Sequence, residues 1–130
     1  MVEVGLIKLL ASEVSLSALQ ADRVTPIVRD INGSLPATTI FVVGGESEPT
    51  FETSGMTRMR VQVDFWGGSY AEASALRHAT VQFLNGWYGE LPDGSYIQNI
   101  DLIQKSDGFE QESRLFRLMA EFYLFFTTPA

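Results

Sequence analysis

The chain has 130 residues, a formal net charge of −7, and 45% hydrophobic against 19% charged residues. We expect one globular domain, residues 1–130, with room for a substantial core. The acidic balance argues against binding to phosphate backbones, and the absence of cysteine excludes disulfides, thiolate nucleophiles and zinc sites that need sulfur.

Neither a targeting segment nor a membrane segment is predicted. Glu3 is acidic where a signal peptide is basic, and the apolar run that follows is short. No apolar stretch reaches the roughly 18 residues of a membrane helix. The sequence therefore predicts a soluble protein made inside the cell, with no membrane partner.

The first third of the chain predicts helix followed by sheet. Apolar residues at helical spacing predict a short helix over residues 2–12, and Ser15 can cap a second short turn. Pro26 favours the end or the edge of a sheet, because proline cannot donate to a strand ladder. Residues 38–43 are β-branched and aromatic, which predicts a strand. Residues 44–55 are acidic and rich in glycine and serine, which predicts a long loop.

The middle of the chain carries the clearest pattern. Residues 58–66 alternate between apolar and polar side chains, which predicts a half-buried strand of an antiparallel sheet. After Gly67 and Gly68, the pair Ser69 and Glu72 has the spacing of a capping box. The helix that follows should end near residues 85–86. The polar side of the strand comprises Arg58, Arg60, Gln62 and Asp64.

The last third predicts a hairpin. Residues 96–104 and 114–127 read as strands, and the pair Asp107 and Gly108 is a turn signal within an acidic connection at 105–113. The second face of the last strand is mixed, which suggests that another surface covers part of it. The order helix, strand, strand, helix, strand, strand predicts an α+β fold: an antiparallel four-stranded sheet with two helices packed on one face.

The sequence contains few residue patterns typical of catalysis, metal binding or phosphate binding. His78 is the single histidine, so two-histidine metal sites are excluded, and the glycine pairs lack the lysine of a phosphate loop. We predict no catalytic, cofactor-binding or metal residue and no cofactor. Asp64 and Glu121 keep three interpretations open: an intersubunit salt bridge with Arg58, Arg60 or Arg117, simple solvent exposure, or acid/base catalysis.

Several segments together resemble the tail terminator, or tail completion, proteins of long-tailed bacteriophages. They are the helix at 6–10, the segment 22–27, the strand at 60–66, the helix at 70–76 and the long last strand. The resemblance covers nearly the whole chain, through motifs of low specificity. Pro26 and the insertion at 44–55 depart from the pattern, so it leaves open which loop meets the tube.

The resemblance implies a non-catalytic virion protein of the tail, assembled in the host cytoplasm. Such proteins form a homo-hexameric ring on the end of the tail tube, stop its growth and offer a surface to the head connector protein. Tail tube protein and head connector are then the partners, and DNA only passes through the lumen. The acidic balance would let DNA slide without sticking.

Two sets of residues are predicted to carry this assembly. Partner-binding loops would use Glu46, Glu48, Phe51 and Glu52 in the first loop and Asp107, Phe109 and Glu110 in the second. The subunit interface would use Arg58, Arg60, Asp64, Arg117, Glu121 and Tyr123. Two alternatives stay open: another connector or tail subunit, or a small α+β ligand-binding or enzymatic dimer whose pocket is lined by Asp64, Tyr123 or His78.

Overall fold

The computed structural model of the protein describes residues 2–21, 23–26, 33–49 and 57–127, with backbone alone at 44–49. The helices are α1 (Val2–Ser12), α2 (Val14–Gln20) and α3 (Tyr70–Leu84). The strands are β1 (Val24–Pro26), β2 (Ala37–Pro49), β3 (Thr57–Gly67), β4 (Gly89–Glu90), β5 (Tyr96–Ser106), β6 (Phe109–Glu110) and β7 (Leu115–Thr127). Among the described helices, none has the length and apolar character needed to cross a membrane.

The strands form one mixed sheet of seven strands in the order β1-β2-β3-β7-β5-β4, with β6 paired to β7. β1 runs parallel to β2, and the other pairs are antiparallel. The predicted antiparallel four-stranded sheet with two helices is therefore wrong. The extra strands have two or three residues each, too few to show a period, and the predicted second turn is the helix α2. Pro26 ends the edge strand β1, as predicted.

The predicted loop at 44–55 is wrong over its first half, because β2 continues to Pro49. The pairing register moves from Val42 opposite Val61 to Ser47 opposite Met59, so residues 43–46 form a bulge opposite Arg60. The glycine pair that indicated a loop lies in this bulge. Pairing with β3 then restores the strand beyond it.

The predicted loop at 105–113 is also shorter than expected. β5 continues to Ser106, and β6 pairs Phe109 with Phe116 of β7. Only residues 107–108 and the turn at 111–114 remain outside strands. A two-residue strand depends on its partner for its conformation, so the local sequence could not predict it.

The core lies between one face of the sheet and the helices. The predicted apolar faces of β3 and β7 are confirmed, and they meet leucines of all three helices in one buried cluster. Its strand residues include Val61, Val63, Phe65, Leu118, Ala120, Phe122, Leu124 and Phe126, and its helix residues include Leu6, Leu10, Leu16, Leu76 and Leu84.

Both ends of α3 follow the predicted pattern. Ser69 Oγ accepts the backbone N–H of Glu72 at 3.1 Å, and Glu72 Oε1 accepts the N–H of Gly68 at 2.9 Å. The helix ends at Leu84, and Gly86 has a φ of 82°, which favours glycine. The N–H of Gly86 then donates to the carbonyl of Ile100 at 2.7 Å, which fastens the helix end to the outer edge of β5.

Candidate assembly surfaces

The six residues predicted for a subunit interface all lie on the side of the sheet away from the helical core. Arg60 pairs with Tyr123, and Asp64 with Met119, so their side chains share one face, whereas Val63 between them belongs to the core. We call this surface the polar face. It comprises Arg58, Arg60, Gln62 and Asp64 of β3 and Arg117, Glu121 and Tyr123 of β7.

Asp64 is the centre of one ion-pair group on the polar face. Its side chain is 2% exposed, and Oδ2 accepts from Nε and Nη2 of Arg117 at 3.1 and 2.8 Å. Gln62 Nε2 donates to Oδ1 at 2.8 Å. The guanidinium of Arg117 lies over the ring of Trp66, 5.3 Å from its centroid. A buried carboxylate is therefore held by bonds that leave neither oxygen without a donor.

Glu121 is the centre of a second group. Arg60 Nε donates to Oε2 at 2.8 Å, and Gln104 Nε2 donates to Oε1 at 2.9 Å. Next to it, the guanidinium of Arg58 lies 4.6 Å from the ring centroid of Tyr123. Both predicted acids thus pair with arginines of their own chain, while a salt bridge to another subunit stays a prediction.

The three residues named for the alternative pocket lie on two different sides of the sheet. Asp64 and Tyr123 are on the polar face, whereas His78 is exposed on α3, which packs on the core side. His78 borders a shallow depression with Ser74, Arg77, Val81 and Lys105. Within the described part of the chain, no group of three acidic or histidine side chains could hold a metal ion.

The second predicted loop is anchored on α3 through Asp107. Arg77 Nη1 donates to Asp107 Oδ1 at 2.6 Å and to the carbonyl of Ser106 at 2.9 Å. The hydroxyl of Tyr70 donates to Asp107 Oδ2 at 3.0 Å. These hydrogen bonds, from Arg77 first and then from Tyr70, hold the pKa of Asp107 below its usual value. Sequence reasoning missed Arg77 and Tyr70, because no local pattern links them to a residue 30 or more positions away.

Phe109 projects from the same anchored segment. The residue is 43% exposed, and its ring meets Phe116 edge to face, with centroids 5.0 Å apart. Phe116 in turn meets the ring of Tyr70 edge to face at 6.0 Å. Glu110 accepts from the hydroxyl of Ser113 at 2.7 Å. We call Tyr70, Phe109 and Phe116 the aromatic cluster.

The first predicted loop is only partly described. Glu46 and Glu48 lie in β2, where Glu48 pairs with Arg58 of β3, and their side chains are not described. Phe51 and Glu52 lie outside the described residues. Their part in partner binding stays a prediction.

The strand residues that flank 50–56 and the second predicted loop lie at opposite ends of the sheet. Pro49 and Thr57, which flank residues 50–56, are aligned with Phe126 at one end. β6 and Asp107 lie at the other end, beside Phe116 and Gly67. β3 has 11 residues. At about 3.3 Å per residue, the two ends are separated by about 30 Å.

A family model described as Tail completion protein gp17 matches residues 4–126. The match includes the full length of β1 to β6 and all of β7 except its last residue. The chain belongs to this family. The predicted resemblance to tail completion proteins is therefore confirmed, and with it the location of this tail completion protein in the virion tail.

The fold of this tail completion protein also has a counterpart among solved structures. A chain in the structure described as "Virion of native gene transfer agent (GTA) particle" is similar, with a TM-score of 0.68 and 15% sequence identity. The similarity covers 92% of this chain and 89% of that chain. At this identity it shows a shared fold. No curated protein sequence matches the chain.

Proposed function

We propose that this tail completion protein forms a ring of six copies on the end of the tail tube, stops tube growth and provides the surface that the head connector binds. The observation that carries the proposal is the location of the two candidate contact segments at opposite ends of the sheet. A subunit placed between two partners needs separate contacts on opposite sides. Strands spanning about 30 Å would hold these contacts at a constant distance.

The polar face suits contact between copies of the chain. A net charge of −7 makes two copies repel each other in general. On the polar face, however, Arg60 and Arg117 each neutralise a buried carboxylate of their own chain. Two copies can approach there without bringing unpaired acids together. We therefore infer that Arg58, Arg60, Asp64, Arg117, Glu121 and Tyr123 contact the neighbouring subunit.

The test is electron microscopy of the protein mixed with preformed tail tubes from its own virion. We expect added density at one end of each tube and no further growth when tube subunits are supplied. Tubes already capped by the native completion protein are the control and should gain nothing. Bare tubes that keep growing would contradict the proposal.

A second measurement separates a terminator from a tube subunit of similar architecture. A tube subunit polymerises alone, whereas a terminator forms at most a closed ring. Sedimentation of the purified protein over a range of concentrations should therefore show no species heavier than a hexamer. Long filaments formed by the protein alone would identify it as a tube subunit.

A further inference from the structure

We propose that Phe109 is the side chain that docks this protein onto the tail tube, and that Asp107, Arg77 and Tyr70 position it. Its partner would be a basic protein surface with an apolar pocket at the open end of the tube. This inference rests on the proposed function. It assigns the contact predicted for Asp107, Phe109 and Glu110 chiefly to Phe109, and it gives Asp107 a positioning role instead.

Asp107 itself is a poor candidate for contact. Both of its carboxylate oxygens accept hydrogen bonds from side chains of α3, at 2.6 and 3.0 Å. Arg77 also holds the adjacent carbonyl of Ser106. A partner that bound Asp107 would have to share each oxygen with a donor of α3. Its role is therefore to fix the segment on the helix.

Phe109 is fixed in place, yet much of its ring remains exposed. The N–H of Arg117 donates to the carbonyl of Gly108 at 2.9 Å, and Phe109 pairs with Phe116 on β7. The aromatic cluster supports the ring from behind, while Phe109 and Tyr70 stay 43% and 46% exposed. An ordered aromatic side chain loses little conformational freedom on binding, which is typical of residues that dominate an interface.

Charge identifies the kind of partner. Glu110 and Glu112 lie within three residues of Phe109, Glu112 is exposed, and the exposed Arg114 ends the same turn, so two acids stand against one arginine at 109–114. A second copy of this chain, at −7, would bring further negative charge to this weakly acidic segment. Lysine or arginine around an apolar pocket would instead complement it and speed the encounter.

The order of assembly points to the tube as the partner. In the proposed function the tube is complete before the ring forms. Its end must therefore be recognised by a surface that a single chain already possesses. The segment around Phe109 meets this requirement, because bonds from Tyr70, Arg77 and Arg117 hold it within a single chain.

The experiment measures binding of labelled protein to purified tail tubes from the same virion. Binding of the wild-type chain to tube ends tests the proposed function by itself, and no binding would refute that function. If the wild type binds, Phe109→Ala should lower the affinity about tenfold or more, while the melting temperature falls by only a few degrees and the chain stays folded. Phe109→Tyr should bind within about threefold of wild type.

Tyr88→Ala is the matched control. Tyr88 is 70% exposed, and it precedes β4, which pairs with the first residues of β5 at the other end of the sheet. Its loss should leave tube binding unchanged. The proposal is overturned if Phe109→Ala binds like wild type, if Tyr88→Ala loses as much, or if Phe109→Ala changes only self-association of the free protein.

A double-mutant cycle tests the positioning role of Asp107. Asp107→Asn should weaken tube binding in the wild-type background, because the segment loses its ionic anchor. In the Phe109→Ala background the same change should have little further effect, since its contribution acts through Phe109. An equal loss in both backgrounds would show that Asp107 contacts the tube itself.

Discussion

Glu121 and Phe122 are neighbours in β7, but their side chains lie on opposite faces of the sheet. Glu121 accepts from Arg60 on the polar face, whereas Phe122 is 1% exposed within the core cluster. The two-residue period of a strand accounts for both positions. Both are buried, and the consequences of substitution differ, because one site loses apolar packing and the other loses an ion pair.

Phe122→Ala should destabilise the fold by about 3–5 kcal/mol, because truncation leaves a cavity in a packed core. Urea unfolding followed by circular dichroism measures the change in the free energy of unfolding. Tyr88→Ala serves as an exposed aromatic control and should stay within about 0.5 kcal/mol of wild type. An unchanged unfolding midpoint for Phe122→Ala would show that this face of β7 is not core.

Arg117→Ala should cost about 1–3 kcal/mol, since it removes both guanidinium hydrogen bonds to the buried Asp64 carboxylate and leaves it the amide of Gln62. The double variant Asp64→Ala with Arg117→Ala should recover part of this loss, because it removes the carboxylate as well. The same urea titrations measure both. A double variant that is less stable than the sum of the two single losses would argue against this account.

At the scale of elements, the connection from β5 to β7 is built around its contact with α3. The bonds from Arg77 and Tyr70 join residues far apart in the sequence and hold the chain between two strands. The contact between this connection and α3 therefore depends on the charge of Asp107. The pKa of Asp107 is lowered in the folded state. Its charge therefore contributes stability at pH values above the usual pKa of an aspartate, and this contribution is lost as pH falls through the folded-state pKa.

Asp107→Asn should therefore lose stability near neutral pH, by less than about 1 kcal/mol because the carboxylate is half exposed and screened by solvent. The difference from wild type should shrink as pH falls through the folded-state pKa, where the wild-type carboxyl becomes neutral as well. Unfolding curves of both proteins at a series of pH values measure it. A difference that grows in acid would contradict the ionic anchor.

At the scale of the whole molecule, the sheet separates the two candidate contact segments. Pro49 pairs with Thr57, so residues 50–56 connect two residues already paired across the sheet. The backbone pairing at this end does not require that connection to be long. A change in residues 50–56 should therefore affect partner binding without affecting the stability of the fold.

Replacing residues 50–56 with a two-residue Asn-Gly turn should leave the melting temperature within a few degrees of wild type, because loop length has a weak effect on stability. Because the tube contact is proposed for Phe109 at the other end of the sheet, the same change should abolish binding to the head connector and leave binding to the tail tube unchanged. Calorimetry and pull-down with each purified partner provide the two measurements. Full binding to both partners would move the contact elsewhere.

The alternation of side chains along the long strands made the two faces of the sheet largely predictable. Period two in residues 58–66 and 114–127 assigned core and polar faces correctly, and with them the shared face of Asp64 and Glu121. Neither β4 nor β6 could be predicted, because a strand of two residues is defined by its partner. The part of β2 beyond Gly44 and Gly45 could not be predicted either, because pairing with β3 overrides the local loop signal.

The candidate site was less predictable than the fold. Asp107 and Phe109 were singled out from an acidic connection, but their different environments depend on α3. Arg77 and Tyr70 lie seven residues apart on that helix, and only the folded chain shows that both meet Asp107. Contacts of this kind require the tertiary arrangement.

The central position of β7 has a consequence for synthesis. β7 lies between β3 and β5, and it also pairs with β6, yet it is the last described element to leave the ribosome. Until it emerges, β3 and β5 each expose an unpaired edge to other nascent chains. Completion of the sheet therefore waits for pairing over a long sequence separation, which is slow. A subunit could therefore join the proposed ring only after β7 has been synthesised and paired.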